Sequence, residues 1–436
     1  MRCKIKLILV VRDAGSQLQS IQKSLGYCHA IKESGMKILA VTSALDLRLS
    51  FGATSAWWQL FKGLYEIGVD IVATPYAGEA VESPWWRSYP NPCRAESQVF
   101  LAAKRVVNRV LGPEPGSGSG KLAQALVRHR IRPRWREHIT KILEREAGIT
   151  AVLVINVPMN HFTGIPSFIR ERFRLPVFYL DGDMPMSLPA FGGYASGVRG
   201  YDGADLSEYD AVISNSKAAE EELKKLGARV ARTLYFAADP DLFFPVEAEK
   251  QDIDIFFYAY GSEQREDEIR RMISEPSHEL RDARFVVGGS RLNVDLGRAE
   301  FIGPLMPSEI RRYAARAKIN VNIARAPHAT FYGSSCMRLF ELAAMGCCIV
   351  TNPIEGLYEW FEPGKELFVA SAARRVADVY NELIVQTEVR QGLAERARHR
   401  VVQGHTYRHR AMDLKQMMLG KLAPATNLYK GPAANG

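Results

Sequence analysis

Short apolar runs alternate with amphipathic stretches along most of this chain, and the alternation predicts α/β structure. Residues 4–11 (KIKLILVV), 37–42 (KILAVT), 70–74, 151–157 (AVLVINV), 176–180 (PVFYL), 210–214 (DAVIS) and 230–236 are strand-length runs. Apolar runs this continuous suit parallel strands covered on both faces. Between them, residues 18–34, 57–65 and 217–226 carry helical character, with Gly35 and Gly227 placed to end two helices and Ser216 to cap one. Residues 238–251 then lose all periodicity and hold two prolines, which marks a domain boundary. Beyond it, runs at 253–258 (IDIFFY), 283–287, 301–303, 319–323 (INVNI) and 348–351 restart the pattern. Helices are expected at 263–272 and 307–318, the second with Ser308 and Arg311 as half of a capping box. Two α/β domains result, 1–237 and 252–405, joined by a linker at 238–251 and facing across a cleft. Residues 406–436 supply a final helix that returns toward the first domain, and a tail.

Residues 330–370 (TFYGSSCMRLFELAAMGCCIVTNPIEGLYEWFEPGKELFVA) organise the second half. They predict a helix with Ser334 or Ser335 as N-cap and Gly346 at its C-terminal turn, followed by a buried strand. Arg338 and Glu341 are three apart and share a face. An arginine in the first turn opposes the helix dipole by ~0.3–1 kcal/mol, and a ligand phosphate there reverses the sign. Glu341, one turn deeper, is then placed to accept the hydroxyl protons of a ribose. The competing reading of the same spacing is a surface i,i+3 ion pair. Gly261 follows the 253–258 strand and opens a second phosphate-facing loop. From that loop Arg265 either reaches a diphosphate or joins the charged face of its helix.

The first half offers acids and a base at strand ends. Asp181 and Asp183 follow the 176–180 run, where an Asp-x-Asp pair holds a divalent cation, faces a substrate as acid or base, or simply makes a turn. His161, after the 151–157 run, is either a cleft base or a satisfied structural imidazole. Trp85 and Trp86 suit packing on a neighbouring helix better than an exposed sugar platform. Residues 112–121 (GPEPGSGSGK) end in Gly-Lys, but Leu122 follows where a phosphate loop needs Ser or Thr, and no strand precedes them. Residues 128–138 hold seven Arg and His, either a solvated helix face or a patch for an anionic surface, an anionic acceptor or nucleic acid.

Composition narrows the partners without choosing one. An excess of nine positive charges and a pI near 9.2 fit anionic ligands such as nucleotides or phospholipid. No segment approaches the ~20 unbroken apolar residues of a membrane span. Residues 4–11 run straight into Arg12 and Asp13, so they read as a strand rather than a signal peptide, with the 12–16 loop at its ligand-bearing end. Six scattered cysteines without a Cys-x-x-Cys fit reduced thiols in a cytoplasmic protein, not a disulfide or zinc framework.

The motifs FFYAYGSEQRED, AKINVNI, RLFELAAMGCCIVTNPIEGLYEWFEPGKELFV and GHTYRHR, with DPDLFFP in the linker, resemble the CgeB-like glycosyltransferases, relatives of the group-one two-domain nucleotide-sugar transferases. The resemblance covers most of 205–415. It implies a GT-B-like fold of two Rossmann-like domains, a donor nucleotide sugar held mainly by the second, and transfer to an acceptor bound by the first. It implies donor contacts at Glu341 (ribose), and at Arg338, Ser334 and Ser335 (diphosphate), with Gly261 and Arg265 as further donor-side residues. Asp181, Asp183 or His161 would serve as acid or base, with no metal and no cofactor beyond the donor. The chain departs from the E-x7-E pattern of many group-one relatives, because Gly333 stands where the earlier glutamate would be. Donor sugar, stereochemistry, acceptor and oligomeric state stay open, as does peripheral contact with an anionic membrane at its inner face. The rival readings are a nucleotide-sugar epimerase of the same fold, a nucleic-acid binder using 128–138, for which no recognisable module is present, and a non-catalytic descendant.

Overall fold

The computed structural model describes residues 35–46, 56–94, 125–195, 198–371 and 374–420. The strand expected at 4–11, the 12–16 loop, the 18–34 helix and the 112–121 loop lie outside these residues.

Seven strands form the first sheet: β1 (Lys37–Ala44), β2 (Asp70–Ala77), β3 (Arg87–Ser88), β4 (Ile149–Ile155), β5 (Val177–Asp181), β6 (Ala211–Ser214) and β7 (Ala231–Thr233). They pair in parallel in the order β3-β2-β1-β4-β5-β6-β7. Alternate residues feed two cores: Leu39, Val41, Val152 and Val154 on one face, Ile38, Ala40, Ile71 and Leu153 on the other. The second sheet holds β8 (Ile253–Tyr260), β9 (Phe285–Ser290), β10 (Glu300–Phe301), β11 (Ala317–Asn322), β12 (Ile349–Thr351) and β13 (Phe368–Val369). Its order, β10-β9-β8-β11-β12-β13, is again fully parallel. Each order reverses once, between β1 and β4 and between β8 and β11. Open α/β sheets bind ligands in the crevice at the strands' carboxyl ends at such a reversal.

Four helices position the site and the domain junction: α1 (Ala56–Glu66), α2 (Arg132–Arg145), α3 (Met337–Ala344) and α4 (Tyr407–Met418). α4 leaves the second domain and enters the first domain's core. Its Tyr407, Ala411, Leu414 and Met418 are buried with Trp57, Leu60, Phe61 and Leu64 of α1. Full burial of a side chain of leucine size is worth about 1.5–3 kcal/mol, so α4 is held firmly. The chain crosses between the domains twice at one place, where the Ala238 N–H donates to His405 O (3.3 Å) and the Tyr407 N–H to Ala238 O (3.1 Å). Lys62 of α1 ties the same corner to Asp239 (3.1 Å) and Asp241 (2.8 Å).

Several helix starts differ from expectation. Ser216 does not cap its helix, which spans Ala219–Lys225 without a side-chain cap; its hydroxyl donates to Tyr332 O (3.3 Å). Helix Pro307–Arg316 begins at Met306, whose N–H donates to Glu309 (2.8 Å), so the box partner is Glu309 rather than Arg311. Pro307 suits the first helical position because no N–H is needed there. The helix expected at 263–272 is divided into Glu266–Ile269 and a wider π-helical turn, Arg270–Ser274.

Gly63 lets α4 approach α1. A Cβ on Gly63 would lie 2.6 Å from Tyr407 O and 2.8 Å from its carbonyl carbon, and backbone cannot swing aside. Gly63→Val is therefore expected to destabilise the fold by about 1–3 kcal/mol. Thermal denaturation should show it, while Gly35→Ala, with nothing within 4 Å of the new methyl, should melt as the parent does.

Candidate functional site

The reversal point of the second sheet carries a cavity of about 230 Å³, lined by Tyr258, Arg265, Arg325, His328, Arg338 and Glu341 among others. Each wall follows from a strand end. Beyond β8 the chain turns through Gly261 (φ 76°), whose N–H donates to Ser290 O at 2.8 Å, and returns with Arg265 buried. At the end of β9, Gly289 adopts φ 135°, and a Cβ there would stand 1.8 Å from Ala259 O. β11 continues into Arg325 and the one-turn helix Ala326–Thr330 bearing His328. α3 closes the site with Arg338 and Glu341.

The electrostatics are one-sided. The Nε atoms of Arg265, Arg325 and Arg338 are all buried without a hydrogen-bond partner. Among the described residues no carboxylate pairs with any of these three guanidiniums. Arg265 donates only to a backbone oxygen, Ile323 O, at 3.3 Å. Burial, and then Arg338 and Arg325, hold it well below the ordinary guanidinium range. Burial first, and then Arg325 and Arg265, push His328 down to about 4, so it is a neutral imidazole at neutral pH. Its Nδ1 is buried without a partner.

Arg338 and Glu341 do not form the surface ion pair that their spacing allows. Glu341 is buried and accepts from Tyr258 Oη at 3.1 Å. Burial raises it to about 7, against the opposing pull of Arg338, Tyr258 and Gln59. Arg338 directs Nη1 to Asn322 Oδ1 (3.5 Å) and lies over the Tyr258 ring, 4.9 Å from its centroid. α3 also starts later than expected: Cys336 is its cap position, no side chain caps it, and no acid occupies its first turn.

Ser334 and Ser335 instead join the domains. Ser334 Oγ donates to Met184 O (3.2 Å), and Ser335 Oγ donates to Asn215 O (2.9 Å) and accepts from the Phe236 N–H (2.9 Å). Ser335 borders the cavity, but its hydroxyl is committed to the first domain. Gly333 belongs to the same seam. Its φ is 63°, its O accepts from the Lys217 N–H (3.1 Å), and a Cβ would stand 2.7 Å from Lys217 Cβ. No glutamate side chain fits there.

In the first domain the three candidates separate. Asp181 is buried and accepts from the Asp183 N–H (2.8 Å), Ser187 Oγ (3.0 Å) and Tyr201 Oη (2.7 Å). Burial raises its pKa, and those three bonds work against the rise. This is a satisfied turn carboxylate. Asp183 is half-buried, its carboxylate has no hydrogen-bond partner among the described residues, and it faces Arg325 of the other domain. Burial and then Asp181 raise it to about 6, with Arg325 pulling down. His161 is tied through Nδ1 to Tyr76 Oη, and burial and then Arg132 push it down to about 4.

The basic run also divides. Trp135 and His138 belong to the packing, His138 Nε2 lying 3.1 Å from Thr74 Oγ1, and Arg136 stacks 3.8 Å from the Phe168 ring centroid. Arg128, His129 and Arg130 are exposed. Trp86 is buried against Trp58 and Phe61, in the core and not on a platform. Among the described residues no three His, Cys, Asp or Glu gather as metal ligands, and no helix is long and apolar enough to cross a membrane. Arg325, His328, Tyr258 and Gln59 were not among the sequence candidates. The available signal was an arginine and a histidine directly after the 319–323 strand, with no acid before Glu341.

Comparison with known proteins identifies the fold. Residues 265–416 match a family described as glycosyl transferase-like, and no curated protein is a significant match. Among solved structures, a sucrose-phosphate synthase from Thermosynechococcus elongatus superposes with TM-score 0.58 at 14% identity, over 88% of this chain and 98% of that one. HepE of Anabaena, solved in complex with UDP-glucose, gives 0.55 at 14%, over 89% and 100%. The N-terminal domain of a Candida albicans trehalose-6-phosphate phosphatase gives 0.61 at 13%, over 90% and 98%. The chain has the GT-B fold, and the matched residues 265–416 supply most of the cavity's lining.

Proposed function

We propose that this chain is a glycosyltransferase, of the CgeB-like group, that moves a sugar from a nucleoside-diphosphate donor to an acceptor held by the first domain. The observation that carries the reading is the set of three guanidiniums that line one cavity with no carboxylate ion-paired to any of them among the described residues. Buried charge of one sign is costly unless a ligand of the other sign completes it, and a diphosphate is such a ligand. Glu341 takes the ribose hydroxyls, with Tyr258 and Gln59 fixing its carboxylate. HepE, of the same fold, is solved with UDP-glucose, which agrees with this donor class.

The chemistry follows from the charges. As the bond between the anomeric carbon and the diphosphate oxygen breaks, negative charge grows on the leaving group. Arg265, Arg325 and Arg338 stabilise it without reorganising. The acceptor hydroxyl forms the new bond to that carbon and loses its proton to Asp183, whose pKa of about 6 suits a base working near neutrality. Asp181 positions that base through the Asp183 N–H, and His161, held by Tyr76, takes no part.

Two outcomes test the assignments. Glu341 ionises near 7 rather than its ordinary 4.5, so the folded chain bears no penalty while the group is protonated in both states and the full penalty above about 7. Glu341→Gln should therefore stabilise the protein by up to about 3 kcal/mol at alkaline pH and by nothing at acid pH, read by urea denaturation. The same variant should bind a nucleoside diphosphate about ten- to a hundredfold more weakly by calorimetry. Unchanged affinity removes Glu341 from the donor site.

Asp183→Asn should lower transfer by ~10²–10⁴-fold while leaving nucleotide affinity in place. The wild-type rate should rise as pH passes upward through about 6, where the base loses its proton. Steady-state kinetics with calorimetry on one preparation decide it, and a fully active Asn variant means that no base acts from this position.

A further inference from the structure

We propose that Asn156 reads the sugar of the donor: its Nδ2 donates to a ring hydroxyl of that sugar, a contact made from the first domain. The assignment rests on the nucleotide-sugar reading of the cavity, which supplies the sugar.

Asn156 is the first residue beyond β4, at the carboxyl end of a strand that flanks the first sheet's reversal, where such sheets bind ligands. Its N–H still donates to Leu180 O of β5 at 3.0 Å. The backbone then turns left-handed, with φ 50°, a conformation that asparagine and aspartate adopt more readily than most residues with a side chain. The side chain reaches the exit of β5, where Oδ1 accepts from the Gly182 N–H at 2.7 Å. An N–H needs an oxygen as its acceptor here, so that bond fixes which end of the amide is which. Nδ2 is the end left over, and it has no hydrogen-bond partner among the described residues. An aspartate would make the same turn and the same bond to Gly182. What asparagine adds is the amide donor, and the fold leaves it unused on a half-buried side chain.

Two neighbours show what this donor borders. A Cβ on Gly182 would stand 3.4 Å from Asn156 Nδ2 and 3.6 Å from Phe236 Cε1, so the amide and the Phe236 ring close on the same point. Phe236 lines the donor cavity. Asp183, the residue after Gly182, feels the charge of Arg325 from the same cavity. The transferred sugar has to occupy the interval between them. Its anomeric carbon is bonded to the diphosphate that the arginines hold, and the acceptor oxygen at Asp183 has to reach that same carbon. Asn156 touches this interval through both Phe236 and Gly182. A neutral amide also suits the place, because it offers a hydroxyl oxygen a hydrogen bond without adding charge beside Asp183.

Calorimetry on the full chain separates the sugar from the nucleotide. The probes are UDP, GDP and ADP, and the nucleotide sugars UDP-glucose, UDP-galactose, UDP-N-acetylglucosamine, GDP-mannose and ADP-glucose, with no acceptor present. Asn156→Asp keeps the turn and the acceptor for the Gly182 N–H and removes only the donor. Asn156→Gly keeps the left-handed backbone without strain and removes the whole side chain. Melting curves confirm that both variants fold. For the nucleotide sugar that the wild type binds most tightly, both variants are expected to lose about three- to tenfold in affinity, while the matching diphosphate binds within about twofold of wild type. Wild-type affinity for that nucleotide sugar in both variants, or equal losses for it and its diphosphate, overturns the inference and leaves the donor reading standing. A loss in one variant alone assigns the effect to the turn or to the added charge, and also overturns it. If none of the three diphosphates binds the wild type, the donor reading fails and this inference falls with it.

Discussion

Three guanidiniums that share one cavity repel one another, and the fold has to hold them there against that repulsion. It does so with neutral contacts. Arg265 leans on a backbone carbonyl, Arg338 on the Asn322 amide and the Tyr258 ring, and Arg325 rises from the end of β11. The close approach of β8 and β9 at Gly289, where a Cβ would stand 1.8 Å from Ala259 O, forms part of the same cavity wall. Unpaired buried charges and a buried Glu341 oppose folding, and they sit where the rest of the domain is apolar and well packed. That local conflict is the strongest reason to read the cavity as a place for an anion.

A similar constraint shapes the junction between the domains. Residues 332–335 lie against 216–218 through backbone hydrogen bonds, and Ser334 and Ser335 add side-chain bonds to Met184 and Asn215. Gly333 is glycine because the backbone is left-handed there and Lys217 is in contact. A glutamate at this place would press its Cβ against Lys217, 2.7 Å away. α4 completes the junction by packing on α1, so the second domain's last helix is part of the first domain's core. Gln59 of α1 reaches Glu341 from that side, which ties the Glu341 carboxylate to both halves.

Much of the architecture was legible because buried parallel strands are written as continuous apolar runs. KILAVT, AVLVINV, PVFYL, IDIFFY and INVNI each correspond to an observed strand within a few residues. Helix caps were less legible. Ser216, Ser334 and Ser335 each have the chemistry of a cap, but each hydroxyl found a partner distant in sequence, and such contacts leave no local signature. Met306 and Glu309 were hidden because methionine supplies no capping side chain. Asp181 and Asp183 looked equivalent in sequence; only Ser187 and Tyr201, folded over the first, tell a structural carboxylate from a free one. Arg325 and His328 were passed over because a strand's exit loop has no period, and their significance lies in the cavity they share with Arg265 and Arg338, which only the folded chain assembles.

The central claim is that the cavity at the second sheet's reversal holds a diphosphate. Crystals of the chain grown with a nucleoside diphosphate test it most directly. The account predicts density for the two phosphates among Arg265, Arg325 and Arg338, with the ribose hydroxyls on Glu341. A nucleotide bound elsewhere, or an unfilled cavity at saturating nucleotide, would contradict it.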